Sequence, residues 1–347
     1  LGEDFTKERV TSSQYSFEDA NGHGTHVSGI IADATQAREN LSLNVKIIPM
    51  KVLDKNGDGT TAYISAAIKK VIELNDKSGA ECQGKIHLMN MSLGVKKKAS
   101  SSSNEVQIQS ISTVKTYMHN AYNAGILSIV AAGNDGIDTE ETAPADVDEA
   151  IVVSALSYDE NGELYFDSGY SNYGATVDFC APGTSVKSSY LNGTYRYLTG
   201  TSMATPHVTA CYALVLSNPN FDDKSVYDIT TMLQSKAIDL GTPGKDIYCG
   251  YGCINLISVG INNQGYVDFS YDEGEYNSPI SLSLSFNMTG QSSTATYEIY
   301  YSLADNVETI NTTSTKYTAP IQLSKTTKVT AIAYVRSNGL LIQKSLK

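Results

Sequence analysis

The feature that most constrains the fold is a regular alternation of short apolar runs and helix-patterned segments over the first three quarters of the chain. Val45–Leu53 is an apolar run typical of a buried strand, and apolar residues then recur at helical spacing from Tyr63 to Ile72. The same order returns in Lys85–Gly94 and in the helical pattern from Val106 to Ala121. Such alternation is typical of βαβ units. We therefore predict an α/β fold with a doubly wound, mostly parallel sheet flanked by helices and a functional site at the carboxyl ends of its strands.

The pattern changes near residue 263. From Asn263 onward, alternating apolar and polar residues predict strands without helical periodicity, as in Pro279–Met288 and Ala295–Leu303. Turns rich in Ser, Thr, Asn and Gly separate these segments. We predict two domains, an α/β domain over residues 1–262 and a small all-β sandwich over residues 263–347.

Charge and hydropathy exclude some classes of partner. The formal net charge is −12 and the pI is about 4.9, which argues against nucleic acid or an anionic membrane as a partner. No apolar run approaches the length of a membrane span, so none is predicted. The one basic run, Lys96–Lys98, leads into a serine-rich stretch and is predicted to be a solvated loop.

The cysteines are too few and too irregularly spaced for a disulfide scaffold: Cys82, Cys180, Cys211, Cys249 and Cys253. Cys180 and Cys211 lie in apolar segments and are predicted to be inert buried thiols. Cys249 and Cys253 are spaced like a loop pair, but no second Cys/His pair completes a zinc site.

A segment with metal-loop character follows the first predicted strand. Asp54–Gly59 resembles the start of an EF-hand loop, because its acidic and amide side chains alternate. The twelfth position would be Ser65, which cannot replace a bidentate glutamate, so a polar turn is the better interpretation. We predict no metal site and no cofactor.

Two short motifs indicate nucleophilic catalysis. The sequence GTSMATPH, from Gly200 to His207, places Ser202 among small residues at the start of an apolar helix. Pro206 is predicted to lie in the first turn, where proline is tolerated. A hydroxyl there meets unpaired N–H groups and the positive end of the helix dipole, which suits negative charge developing on an oxygen. The motif NGHGTHVSG supplies an imidazole, His23, as a base.

These motifs resemble a known family. NGHGTHVSG, NMSLG, AAGNDG, APGTSV and GTSMATPHV occur in the order and context of the subtilisin-like serine proteases, from about Leu1 to about Ile261. The resemblance implies a subtilisin-like serine endopeptidase with Ser202 as nucleophile and His23 as general base. It also implies that Asn134 donates to the oxyanion beside the backbone N–H of Ser202.

The resemblance extends to substrate contacts. It implies that an extended peptide pairs with the edge segment Ser92, Leu93 and Gly94. It implies a primary specificity pocket lined by Ala132, Gly133, Asp135 and Thr142, with Glu140 and Glu141 nearby. Acidic groups at the pocket mouth would favour a basic or polar residue before the scissile bond. The alternative is that these carboxylates are solvated loop charges.

The acid of the expected triad is not in its family context. The family order is Asp, His, Ser, with the aspartate in a turn about thirty residues before the histidine. None of the carboxylates Asp4, Glu8, Glu18 and Asp19, which precede His23, lies in such a turn. The resemblance implies an aspartate upstream of Leu1. Three explanations are open for the strand that would carry this aspartate: it was removed, it stays bound as a separate fragment or propeptide after a maturation cut, or the protein is a pseudoprotease that binds or regulates. We favour the bound fragment, because the strand would be central in the sheet.

The carboxy-terminal segment resembles the small β-sandwich appended to chitobiases and many bacterial surface proteins, on the motifs of Ala295–Leu303 and Lys316–Tyr334. A spacer or brace is the expected role, and carbohydrate binding through exposed tyrosines is the alternative. Together the resemblances imply a secreted or cell-surface bacterial enzyme that acts on proteins or peptides.

Overall fold

The computed structural model describes residues 2–6, 18–36, 45–76, 85–97, 104–160, 163–218, 221–256, 266–270, 279–287, 295–303, 314–324, 329–337 and 340–346. The chain divides into two compact units, Leu1–Thr35 with Asn44–Asn255, and Gln36–Leu43 with Leu256–Lys347. All the predicted site residues lie in the first unit.

The first unit combines strands and helices. Its strands are β1 (Glu3–Asp4), β2 (Met50–Lys51), β3 (Leu88–Met91), β4 (Val95–Lys96), β5 (Leu127–Ala131), β6 (Thr142–Ala143), β7 (Ile151–Tyr158), β8 (Leu164–Phe166), β9 (Val177–Pro182), β10 (Val186–Tyr190) and β11 (Thr194–Leu198). Its helices are α1 (His23–Gln36), α2 (Thr61–Asp76), α3 (Asn104–Asn123), α4 (Thr201–Leu216) and α5 (Val226–Lys236), with short 3₁₀ turns at Thr139–Glu141 and Leu191–Gly193.

A parallel sheet forms the centre of this unit. Strands β3, β5, β7 and β9 pair in that order and all run parallel, while β8 pairs antiparallel with the end of β7. The runs that form β5, β7 and β9 are buried, with Ile129, Val152 and Val177 each fully inaccessible to solvent. The run Val45–Leu53, predicted to be buried, is mostly not: Val52 is its one buried residue, and Ile47 is exposed. The predicted α/β fold with a parallel sheet is confirmed.

A second parallel pair, β1 with β2, lies outside this sheet. Among the described strands, β2 pairs only with β1, and β3 pairs only with β5. The predicted strand over Val45–Leu53 is therefore much shorter in the structure: only Met50–Lys51 belongs to a ladder, and Leu53 forms an isolated bridge to Gly59. A long buried strand needs partners on both sides.

The two helices predicted from apolar spacing are confirmed as α2 and α3. Helix α2 buries the stripe Ala67, Ile68, Val71 and Leu74, whose spacing places these residues on one face. The hydroxyl of Thr60 accepts a hydrogen bond from the backbone N–H of Tyr63, which satisfies one donor of the first turn.

Helix α4 differs from the prediction in one respect. It begins at Thr201, so Pro206 lies in the second turn and the predicted first-turn position was wrong. Proline cannot donate a hydrogen bond to the carbonyl four residues earlier, which is that of Ser202. The hydroxyl of Ser92 donates to this carbonyl instead, at 2.8 Å.

The described strands of the second unit pair antiparallel. They are β12 (Tyr266–Phe269), β13 (Ile280–Leu282), β14 (Leu284–Asn287), β15 (Ala295–Ser302), β16 (Thr315–Lys316), β17 (Ile321–Leu323), β18 (Thr330–Ser337) and β19 (Leu340–Leu346). One sheet has the order β16, β15, β18, β19, and two further pairs are β12 with β14 and β13 with β17. Leu282, Leu284, Ile299, Ile321 and Ala331 form its apolar core.

Candidate active site

Ser202 lies at the start of α4, after a glycine in a conformation that other residues rarely adopt. Gly200 has φ 154°, its N–H donates to the carbonyl of Gly183, and a Cβ added to it would lie 3.3 Å from Asn134 Nδ2. The backbone N–H of Ser202 belongs to the first helical turn, where no intrahelical acceptor exists. This turn therefore presents a hydroxyl beside an unpaired donor.

A chain of hydrogen bonds ties this turn to the carboxyl end of β3. Ser202 Oγ donates to the carbonyl of Ser92 at 3.3 Å, and Ser92 Oγ donates to the carbonyl of Ser202. Asn90 Nδ2 donates to Ser92 Oγ at 3.0 Å, while Thr209 Oγ1 donates to Asn90 Oδ1 at 2.8 Å. The serine turn and the strand end are thus held in one fixed arrangement.

Asn134 is oriented by Thr201. Its Oδ1 accepts from the backbone N–H of Thr201 at 2.8 Å and from Thr201 Oγ1 at 2.9 Å. Thr201 Oγ1 in turn accepts from the N–H of Gly133 at 3.1 Å. Because two donors occupy Oδ1, this atom is identified as the oxygen, and Nδ2 is left as the donating group of the side chain. Sequence reasoning missed Thr201. Its position between Gly200 and Ser202 is the signal that could have identified it.

His23 opens α1, which packs against α4. Val27, Ile30 and Met203 form one buried cluster, so the amino-terminal ends of the two helices lie side by side. Within the described part of the chain, the His23 ring has no hydrogen bond to Ser202 or to a carboxylate. Burial lowers the pKa of His23, and the charge of Asp19 offsets this only in part.

The carboxylates before His23 have other partners. Asp19 Oδ1 accepts from the N–H groups of Asn21 and Gly22, and its Oδ2 accepts from the N–H and the hydroxyl of Thr25. Burial alone would raise the pKa of Asp19, but these hydrogen bonds together lower it. Asp19 therefore serves as a cap for α1.

Of the remaining carboxylates, Asp4 accepts from the N–H and the hydroxyl of Thr6 and lies 4.0 Å from Lys51 Nζ. Glu18 is exposed, and Glu8 lies outside the described residues.

The hairpin formed by β10 and β11 supports α1 directly behind His23. His26 is buried, and its Nε2 lies 3.0 Å from the carbonyl oxygens of both Val186 and Arg196, so Nε2 carries the proton. Tyr190 Oη donates to the carbonyl of Asn21 at 2.8 Å. These contacts fix the turn from which His23 projects.

The predicted specificity residues meet around one buried side chain that sequence reasoning missed. Asn172 is fully buried, its Oδ1 accepts from the N–H groups of Asp135 and Ile137, and its Nδ2 donates to the carbonyl of Ala132 and to Thr142 Oγ1. Gly133 has φ 110°, and a Cβ there would lie 2.3 Å from Asn172 Nδ2. No local pattern singles out this asparagine, because its partners lie 30 to 40 residues away.

Two lysines contact the residues of this site. Lys96 Nζ lies 3.6 Å from the carboxylate of Asp135, and Lys97 Nζ donates to the carbonyl of Glu140 at 2.7 Å. The prediction that Lys96 lies in a loop was wrong: it belongs to β4, opposite Thr142 on β6. The segment Ser92–Gly94 lies between β3 and β4 and outside both ladders.

The described residues contain no group of three or more side chains arranged to hold a metal. Asp54 Oδ1 accepts from the N–H groups of Asn56 and Asp58, so in this structure it closes a turn. None of the described helices is long and apolar enough to cross a membrane.

Comparison with known proteins finds a matching family and several similar proteins. A model of the subtilase family matches residues 3–252. The thermostable alkaline protease of Halalkalibacterium halodurans is 36% identical over 235 residues, which are 67% of this chain and 56% of that protein. Subtilisin DY of Bacillus licheniformis is 33% identical over 252 residues, covering 71% of this chain and 80% of that protein.

Solved structures give the same picture. A cold adapted subtilisin-like serine proteinase has a TM-score of 0.52 and 28% identity, over 73% of this chain and 78% of that one. A lanthipeptide protease has a TM-score of 0.57 at 23% identity, over 72% of this chain and 78% of that one, which shows a shared fold. Coverage of the curated relatives varies, and the chain spans little more than half of the halodurans protein.

Proposed function

Because this chain belongs to the subtilase family, we propose that it is a serine endopeptidase that hydrolyses peptide bonds through an acyl-enzyme on Ser202. The observation that carries the proposal is that Asn134 is fixed against the turn that bears Ser202: its Oδ1 accepts from the N–H and the hydroxyl of Thr201, which leaves Nδ2 to donate to an oxyanion. Two preorganised donors at the position of a developing oxyanion are the largest single source of rate in acyl transfer.

The chemistry follows from these positions. Ser202 Oγ attacks the scissile carbonyl carbon while His23 accepts its proton, and the carbonyl oxygen becomes an oxyanion held by Asn134 and the Ser202 N–H. His23 then protonates the leaving amine, and water releases the acyl group by the reverse sequence. In the free protein the hydroxyl donates to Ser92, so substrate binding must turn it towards His23.

The substrate is a protein or peptide in an extended conformation. Ser92, Leu93 and Gly94 offer backbone groups outside any ladder for pairing with it, next to the pocket of Ala132, Gly133, Asp135 and Thr142. Lys96 neutralises Asp135 at this pocket. We therefore expect an uncharged side chain before the scissile bond, rather than the basic one that the carboxylates alone suggested.

The acid that orients His23 comes from an upstream segment of the same precursor, bound as a strand. In the described part of the sheet, β2 and β3 each have one partner, so a parallel strand placed between them would join the two sheets. Its carboxyl end would lie with those of β2 and β3, the edge where Ser92 lies. An aspartate there gives the family order Asp, His, Ser. In a family member, loss of the acid lowers turnover by about 3 × 10⁴.

The appended unit and the location complete the proposal. The proposed domains are an α/β domain over residues 1–262 and a β-sandwich of the chitobiase type over residues 263–347, with a role as spacer or brace. Two further relatives carry the names minor extracellular protease Epr, from Bacillus subtilis, and extracellular serine proteinase, from a Thermus species. These names support a secreted or cell-surface enzyme of bacterial origin.

The alternative is a pseudoprotease that binds without hydrolysing, since the described carboxylate nearest in effect to His23, Asp19, is engaged in capping α1. A fluorophosphonate probe separates the two functions. We expect labelling of Ser202 in natively purified protein, loss of labelling in Ser202→Ala, and an aspartate-bearing fragment that co-purifies in native mass spectrometry. An unlabelled Ser202 in folded protein that retains its upstream fragment would overturn the hydrolase proposal.

A further inference from the structure

Three of the cysteines, which come from two distant segments of the chain, share one buried cluster. Cys180 lies on β9 and is 0% exposed, Cys249 is 3% exposed, and Cys253 is partly buried against them. All three are free thiols. The Cys180 and Cys249 side chains pack in this cluster as its two buried thiols. The apolar side chain of Leu156 belongs to the same cluster.

The segment Asp246–Cys253, which we call the closing loop, lies directly on the outer edge of β9. The N–H of Cys180 donates to the carbonyl of Gly252 at 3.1 Å, and the N–H of Tyr251 donates to the carbonyl of Asp178 at 2.8 Å. A Cβ added to Gly250 would lie 2.3 Å from the backbone of Asp178. The closing loop therefore covers an edge strand that would otherwise expose its backbone groups.

We propose that Cys180 and Cys249 form a disulfide bond that fastens the closing loop to β9. The two side chains lie in one buried cluster, and the backbone hydrogen bonds of Tyr251 and Gly252 with Asp178 and Cys180 hold the closing loop against β9. A disulfide here would span 69 positions of sequence, and a cross-link over a long loop removes much entropy from the unfolded chain.

Cys253 allows an external oxidant to oxidise the buried pair of Cys180 and Cys249. Cys253 is the most exposed of the three, so its thiolate attacks glutathione disulfide and releases one glutathione thiolate. Cys249 then displaces the second glutathione to form Cys249–Cys253, and Cys180 attacks Cys249 with the Cys253 thiolate leaving. In total, two protein thiols are oxidised and one glutathione disulfide is reduced to two glutathione thiols.

The thiols react slowly in the folded protein. Burial raises the pKa of Cys180, and burial and the neighbouring Cys249 raise the pKa of Cys253 to about 11. The thiolate is the reactive species, so we expect the rate of oxidation to increase with pH across the neutral range.

The link has a consequence for the serine turn. Strand β9 ends at Pro182, and the carbonyl of the next residue, Gly183, accepts the N–H of Gly200. Fastening β9 therefore stabilises the support of the nucleophile turn against local opening.

The experiment compares the purified chain after glutathione disulfide with the same chain after dithiothreitol. Free thiols are alkylated under denaturing conditions, and chymotrypsin, which cuts after Tyr251, separates Cys249 from Cys253. We expect a peptide pair joining Cys180 to Cys249, and a melting temperature about 5–10 °C above that of the reduced protein. This readout does not depend on peptidase activity, so it is independent of the proposed function.

Variants isolate the pair. Cys180→Ala and Cys249→Ala should abolish both the cross-linked peptide and the temperature shift, Cys253→Ser should slow oxidation several-fold and keep the final link, and Cys211→Ser is the matched control. Complete alkylation of Cys180 and Cys249 after oxidation, a final Cys249–Cys253 link, or stoichiometric zinc that protects all three thiols would each overturn the proposal. The wild-type comparison decides the question even where a variant fails to fold.

Discussion

Thr201 donates two hydrogen bonds to a single atom, Asn134 Oδ1, through its backbone N–H and through its hydroxyl. One residue thus fixes both the side-chain amide expected to stabilise the oxyanion and the helix end that carries Ser202. In the proposed mechanism, Thr201 is therefore a positioning residue for the Asn134 amide.

Removal of the Thr201 hydroxyl tests this relationship. A hydrogen bond of this kind contributes about 0.5–1.5 kcal/mol, so Thr201→Ala should lower kcat by about 2–10-fold with little change in KM. Thr201→Ser keeps the hydroxyl and should recover most of the loss. Asn134→Ala should cost about 10²–10³ in kcat. An effect of Thr201→Ala in the Asn134→Ala background as large as in the wild type would contradict the assignment.

The pH dependence of Ser202 labelling tests the role of His23. Burial lowers the pKa of His23 below its ordinary value, and a general base acts in its neutral form, so the labelling rate of the chain alone should rise with pH through a midpoint below about 6.5. Binding of the acid-bearing strand should move that midpoint upward, because a carboxylate stabilises the imidazolium. A midpoint that stays fixed when the strand binds would show that no carboxylate reaches His23.

The ion pair between Lys96 and Asp135 tests side-chain preference. Lys96→Gln leaves the Asp135 carboxylate unpaired, so kcat/KM for substrates with Lys or Arg before the scissile bond should rise by about 2–5-fold relative to Leu. Both side chains are half exposed, so the gain should shrink in high salt. Lys224→Gln, which breaks the exposed pair with Asp223, is the matched control. If the ratio of kcat/KM for basic substrates to that for Leu substrates were equal in the two variants, Asp135 would not contribute to the specificity pocket.

Asn172 tests the wall of the pocket. Asn172→Ala leaves the N–H groups of Asp135 and Ile137 without their side-chain acceptor, and each hydrogen bond lost in this way costs about 0.5–1.5 kcal/mol. We expect a lower melting temperature together with a higher KM. Asn172→Asp keeps the acceptor and loses the two donors, so it should destabilise the protein as well but leave the Asp135 turn in place. An unchanged KM in a destabilised Asn172→Ala protein would show that Asn172 stabilises the fold but does not contribute to substrate binding.

Local patterns in the sequence predict much of this structure. Spacing of apolar residues gives α2 and α3, and the alternation of elements gives the parallel sheet, because both depend on periodicities of a few residues. Ser202 and His23 were predicted from two short motifs, GTSMATPH and NGHGTHVSG, and the structure places each residue in the first turn of a helix. In contrast, Val45–Leu53 has the composition of a long strand but pairs over only two residues, since strand length depends on available partners.

The missed residues have a common physical cause. Thr201, Asn172 and Lys96 act on groups 67, 30–40 and 39 positions away, through single hydrogen bonds or charges that leave no periodic trace. The position of Pro206 was wrong for the same reason. The hydroxyl that compensates its missing donor belongs to Ser92, which lies 110 residues from Ser202.

The hairpin behind His23 also indicates where this enzyme tolerates change. Its base is fixed: the carbonyls of Val186 and Arg196 bind His26, and the chain from Leu198 runs within four residues into Ser202. Its tip is open, because Asn192 and Gly193 adopt positive φ angles and a Cβ added to Gly193 would meet nothing within 4 Å. A tag or recognition peptide inserted at this tip would project into solvent and leave the spacing of base and nucleophile unaltered, which makes the tip the natural attachment point for labels and immobilisation.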